Sequence, residues 1–111
     1  MSYRLFIDDE RFPAEDGKVW VCARSSNDAI AFFYHHGVPS FISFDHDLGG
    51  KDTSIVYIDW LIEETLNLID LDIDPGLIRF PRDYVIHSQN PVGAANIDAK
   101  MKHFIHYLDN L

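Results

Sequence analysis

One cysteine, Cys22, is the only thiol in the sequence, so neither an internal disulfide nor a thiolate zinc cluster can form within the chain. Long apolar runs are missing too: nothing approaches the ~18 residues that cross a bilayer. The opening MSYRLFIDDE has no basic stretch leading into an apolar one, so no signal peptide is expected and the cytosol is the expected compartment. Positive charge is scarce, with 9 Lys and Arg against 18 Asp and Glu and a formal net charge of −9. A long nucleic-acid duplex is not an expected partner, because binding one depends on Lys and Arg neutralising phosphates. A small anion stays compatible where a bound metal supplies the positive charge. The glycine pair Gly49-Gly50 lacks the spacing of a P-loop.

What is present is enough for a core. Hydrophobic residues make up 47% of the 111 positions and aromatics 14%, which fits one small domain over residues 1–111 that buries roughly two-thirds of its unfolded surface. Four brief runs, residues 3–7, 19–23, 41–44 and 84–86, are rich in β-branched and aromatic side chains and read as strands buried on both faces. Three helical patterns follow the last three of them. The first starts at the capping cluster Ser25-Ser26-Asn27 and stops at Gly37 and Pro39. The second covers residues 53–69, with Ile55, Ile58, Ile62, Leu66 and Ile69 three or four apart. The third has Asn90 as cap and Pro91 in its first turn, then Ala94, Ile97, Met101, Phe104 and Leu108. Strands alternating with helices imply a parallel sheet with right-handed crossovers.

The polar residues gather where the strands end. Asp8-Asp9-Glu10-Arg11 follows the first, Asp45-His46-Asp47 the third, and His87-Ser88-Gln89-Asn90 the fourth. In a parallel sheet these ends share one edge, where open α/β sheets bind ligands. Up to five carboxylates then crowd one crevice, and like charges so placed raise one another's pKa or recruit a cation. Asp8, Asp9, Asp45 and Asp47 are the candidate metal ligands, with His87 beside them, and hard oxygen donors of this kind suit Mg²⁺ (or Mn²⁺). Taken singly, each Asp could instead cap a helix or turn. His87 and His46, with Asp45, are the candidate catalytic residues, since imidazole moves protons near neutral pH. Ser88, Asn90 and Arg11 are candidate phosphate binders, Asn90 because helix N-termini attract anions. Ser88 with His87 is no nucleophile elbow, since adjacent strand residues point to opposite faces.

These residues also carry a resemblance. Asp8-Asp9 after the first strand, Asp45 after the third and Ser88 after the fourth resemble the response-regulator receiver domain. There an acidic pair and a third Asp hold Mg²⁺, and the third Asp accepts a phosphoryl group. More closely, LFIDDERFP (5–13), ARSSNDAI (23–30), FISFDHDLGGKDT (41–53) and VIHSQNPVGAANI (85–97) are similar to the family of cyclic-phosphate processing receiver domains, over nearly the whole chain. The resemblance implies an α/β fold: a truncated receiver or flavodoxin-like sheet of four parallel strands, order 2-1-3-4, with helices on both faces as a three-layer sandwich. It implies Asp8, Asp9 and Asp45 as metal ligands, with His46, Asp47, His87 and Ser88 lining the site. The substrate class it implies is a cyclic phosphate, such as the 2′,3′-cyclic ends of nucleic acids.

Two departures from receivers argue against phosphorelay through Asp45. The receiver's fifth strand, with its Lys, and its fifth helix find no counterpart up to Leu111, and His46 stands where receivers usually have an apolar residue. The expected activity is therefore a metal-dependent phosphoesterase with a small phosphorylated or nucleotide ligand as partner and no membrane association. The alternatives are a non-catalytic receiver-like module that binds Mg²⁺ or a phosphorylated ligand, and an interaction protein that keeps the site for stability. The fourth strand, left as an edge, would be open to homodimerisation.

Overall fold

The computed structural model describes residues 3–111. The short β-branched and aromatic runs form strands β1 (Arg4–Ile7), β2 (Trp20–Ala23), β3 (Phe41–Phe44) and β4 (Tyr84–Ile86). The helical patterns form α1 (Ser26–His36), α2 (Ser54–Asp70) and α3 (Pro91–Asp109). Local chemistry starts two of the helices as read. The Ser25 side chain accepts from the Asp28 N–H before α1, and Asn90 accepts from the Gly93 N–H at 2.9 Å with Pro91 in the first turn of α3. No described helix is long and apolar enough to cross a membrane.

All strand pairs are parallel, in the order β2-β1-β3-β4. That order determines where the connections run. The step from β1 to β2 goes one way across the sheet, whereas the steps into β3 and β4 go the other way. Right-handed crossovers then place the β1–β2 connection on one face and α1 and α2 on the opposite face. α3 packs beside α2, and its Asp98 accepts a 2.7 Å hydrogen bond from Tyr84 of β4. All three helices therefore lie on one face.

This corrects the expectation of helices on both faces: among the described residues the second face has no helical layer. Residues 8–19, which cross it, form an irregular connection.

The alternation of each strand follows this arrangement. Leu5, Ile7, Ile42 and Phe44 point to the helices and are fully buried against Tyr57, Ile58, Leu61, Ile97 and Met101. Their neighbours Arg4, Phe6, Trp20 and Phe41 point the other way. There the Arg4 guanidinium lies 4.3 Å from the Trp20 ring centroid and 4.5 Å from that of Phe41, while Val85 is left 48% exposed. Ile42→Ala should lower stability by about 2–5 kcal/mol, and Val85→Ala should change it by less than about 0.5 kcal/mol. Urea denaturation measures both. Equal losses would mean that the second face packs as tightly as the first.

Candidate functional site

The register places Ile7, Ala23, Phe44 and Ile86 level across the sheet. The next residue in each strand is Asp8, Arg24, Asp45 or His87, so four polar side chains leave the sheet at the same height.

Asp8 is the centre of the group. It is 1% exposed, and a buried carboxylate is tolerable only when its lone pairs are satisfied. Its Oδ1 accepts from the backbone N–H groups of Glu10 and Arg11 at 2.9 and 2.8 Å. Its Oδ2 meets the Arg11 Nε at 2.8 Å and the His87 Nε2 at 3.0 Å. Burial pushes its pKa up, but the two backbone donors, His87 and Arg11 together outweigh burial and hold it below the usual carboxylate range.

Asp45, 8% exposed, accepts from the His46 N–H at 2.9 Å and stands 3.4 Å from the Arg11 Nη2. Its backbone carbonyl accepts from the Ser54 hydroxyl at the start of α2. One ligating atom each from Asp8, Asp45 and His87 lie within 4.8 Å of one another.

His87 reaches this group from the second face of the sheet. Its ring stacks on Phe6 at 4.6 Å and an interplanar angle of 4°, and its Nδ1 lies 2.7 Å from the Ser43 hydroxyl. With the proton on Nε2, the ring donates to Asp8 while Ser43 donates to Nδ1, so both nitrogens are matched in one tautomer.

A cleft of about 440 Å³ opens in front of the group. Asp8, Asp9, Arg11, Asp45 and Asp47 line it together with Ser88 to Asn90. Asp9 and Asp47 thus face the cleft but stand outside the cluster formed by Asp8, Asp45 and His87.

Neither His46 nor His87 is among the lining residues. His87 stands behind Asp8. His46 turns to the start of α3 and pairs with Asp47 at 3.1 Å, and Asp47 also accepts from the Asn90 amide at 3.2 Å. The His46 hydrogen bond and then Asn90 lower the Asp47 pKa. Ser88 accepts from the Asn90 N–H at 3.0 Å, which leaves its own proton free to donate.

Two supporting residues escaped the sequence reading. Arg24 donates to the carbonyl of Asp8 at 2.9 Å and to that of Arg11, and lies 4.4 Å from the Phe12 ring centroid. It therefore clamps the turn that carries Asp8 and Arg11. Its only sequence signal is its place directly after β2, level with Asp8. Gly93 is the second: a Cβ there would stand 2.4 Å from the His46 Cγ, so only glycine lets the ring lie against the helix.

The four-stranded parallel sheet in this order, with acidic residues at the ends of β1 and β3, defines a receiver-like α/β domain. The family model for the cyclic-phosphate processing receiver domain matches residues 3–103, and the chain belongs to that family. No curated protein and no solved structure matches the chain.

Alanine at a helix interior normally stabilises by about 1 kcal/mol over glycine. Gly93→Ala should instead destabilise by about 1–3 kcal/mol through overpacking, and His46→Ala in the same chain should restore most of the loss. A Gly93→Ala protein as stable as the wild type in urea would remove His46 from this position. Asp8 ionises more readily folded than unfolded, so its stabilisation is complete above the unfolded value of about 3.9 and is lost as pH falls through the lower folded value. Asp8→Asn should therefore flatten the acid limb of stability measured between about pH 5 and 2, and an unchanged limb would refute this.

Proposed function

We propose that the chain is a metal-dependent phosphoesterase that opens a cyclic phosphate on a small nucleotide. The observation that carries this reading is the convergence of Asp8, Asp45 and His87 from three neighbouring strand ends at a cleft whose rim bears Arg11 and Ser88. The family to which the chain belongs supports the substrate class.

The donor set suits a hard divalent cation. Mg²⁺ typically takes one or two carboxylates and keeps several waters, and Mn²⁺ suits the same carboxylate and water ligands. Asp8 and Asp45 would hold the ion, with Asp9 and Asp47 flanking it. Bound there, it would neutralise charge on the phosphoryl oxygens.

The remaining tasks fall to the chain's own side chains. Ser88 offers its hydroxyl proton to a phosphate oxygen, because its oxygen already accepts from Asn90. The side chain of Asn90 is committed to Gly93 and Asp47, so it positions the rim rather than the ligand. Arg11 supplies the charge for a phosphate. His87 keeps Asp8 ionised and oriented, and His46 does the same for Asp47, which places one imidazole behind each of two carboxylates facing the cleft. Both carboxylates are held below their usual range, which suits them to a cation rather than to taking a proton from water.

Divalent-dependent hydrolysis of 2′,3′-cyclic nucleotides is expected, abolished by EDTA and by Asp45→Ala. The absence of turnover across a panel of cyclic nucleotides and cyclic-ended RNAs would overturn the reading. Incubation with acetyl phosphate and Mg²⁺ should leave the intact mass unchanged, and an Asp45-dependent phosphoryl adduct would favour a receiver-type signalling module instead.

A further inference from the structure

Arg11 binds one carboxylate through two independent parts of itself. Its backbone N–H donates to Asp8 Oδ1 and its side-chain Nε to Asp8 Oδ2, both at 2.8 Å. Its Nη2 stands 3.4 Å from Asp45 Oδ2. The guanidinium thus lies against both carboxylates of the cluster that also includes His87. A divalent cation ligated by Asp8 and Asp45 would claim the same oxygens, and two positive centres cannot share them without strong repulsion.

The side chain can leave while the turn stays. The Arg11 N–H remains on Asp8 Oδ1, and Arg24 holds the carbonyls of Asp8 and Arg11 from the other side. The Arg11 side chain is 46% exposed, so a released guanidinium regains water readily. It already lines the same cleft as Ser88.

We infer that Arg11 is a displaceable counter-ion: it neutralises Asp8 and Asp45 until a divalent cation takes their oxygens, then turns into the cleft to pair with a phosphate oxygen of the ligand. The inference rests on the cation site proposed above. It makes cation and phosphate binding cooperative, because one frees the guanidinium that the other uses. Arg24 is then a positioning residue, which keeps the turn in place while the side chain of Arg11 exchanges partners.

Calorimetric titration with Mn²⁺ compares the wild type with Arg11→Gln. The variant should bind Mn²⁺ about three- to tenfold more tightly, as expected for relief of two partly exposed charge pairs. Inorganic phosphate should bind the wild type more tightly with Mn²⁺ than without, and Arg11→Gln should lose most of that gain. In the folded wild type, Mg²⁺ should also shift the Arg11 Nε–H NMR signal and speed its exchange with water, a readout that does not depend on the variant folding. Equal Mn²⁺ affinity in the two proteins, or an Nε–H signal unmoved at Mg²⁺ saturation, overturns the inference and leaves the cation site standing. No Mn²⁺ binding by either protein removes the cation site and the inference with it. Binding by the variant alone would support the inference most directly.

Discussion

A carboxylate that is 1% exposed at the end of β1 constrains everything around it. Moving an ionised Asp out of water costs several kcal/mol unless hydrogen bonds replace the lost hydration. Asp8 meets that demand with four donors. Two are backbone N–H groups of the next turn, which determines how the chain leaves the strand. One is the Arg11 guanidinium, which brings a positive charge to within reach of Asp45. The last is His87, held in turn by Ser43 and by stacking on Phe6. Arg24 ties down the carbonyls of the same turn. The path of the turn, the direction of Arg11 and the tautomer of His87 all follow from one buried charge.

The sheet supplies the geometry that makes this meeting possible. Strands in level register deliver Asp8, Arg24, Asp45 and His87 at one height. The order β2-β1-β3-β4 with right-handed crossovers places all three helices on one side. His87 approaches from the other side, where its ring and the Arg4–Trp20–Phe41 stack take the place of a helical layer. The site therefore sits at the carboxyl edge of the sheet, beyond the ends of β1, β3 and β4. Membership of the cyclic-phosphate processing receiver family fits such an edge, because open parallel sheets bind ligands beyond the carboxyl ends of their strands.

Much of this was legible in the sequence, and the limits have physical causes. The strand runs, the Ser25 and Asn90 caps and the helical stripe of Ile97, Met101 and Phe104 depend on neighbours only a few residues away, so spacing and residue type reveal them. The acidic strand ends were visible for the same reason. His46 and His87 looked alike, each directly after or within a strand-end string, yet one turned to α3 and the other to Asp8. Gly93 carries no local signal of its role, because the ring that needs its missing Cβ comes from residue 46. Arg24 carried no motif at all. Its role depends on β2 lying beside β1.

By itself the sequence determined the elements, their caps and the concentration of carboxylates after β1 and β3, since each depends on local periodicity or on a strand simply ending. Tertiary structure alone decided which donors meet Asp8, which face the helices cover and which histidine joins the cluster. His87 lies 79 positions from Asp8. A contact across that separation depends on strand order, register and the hand of the crossovers, none of which is written in the spacing of either residue.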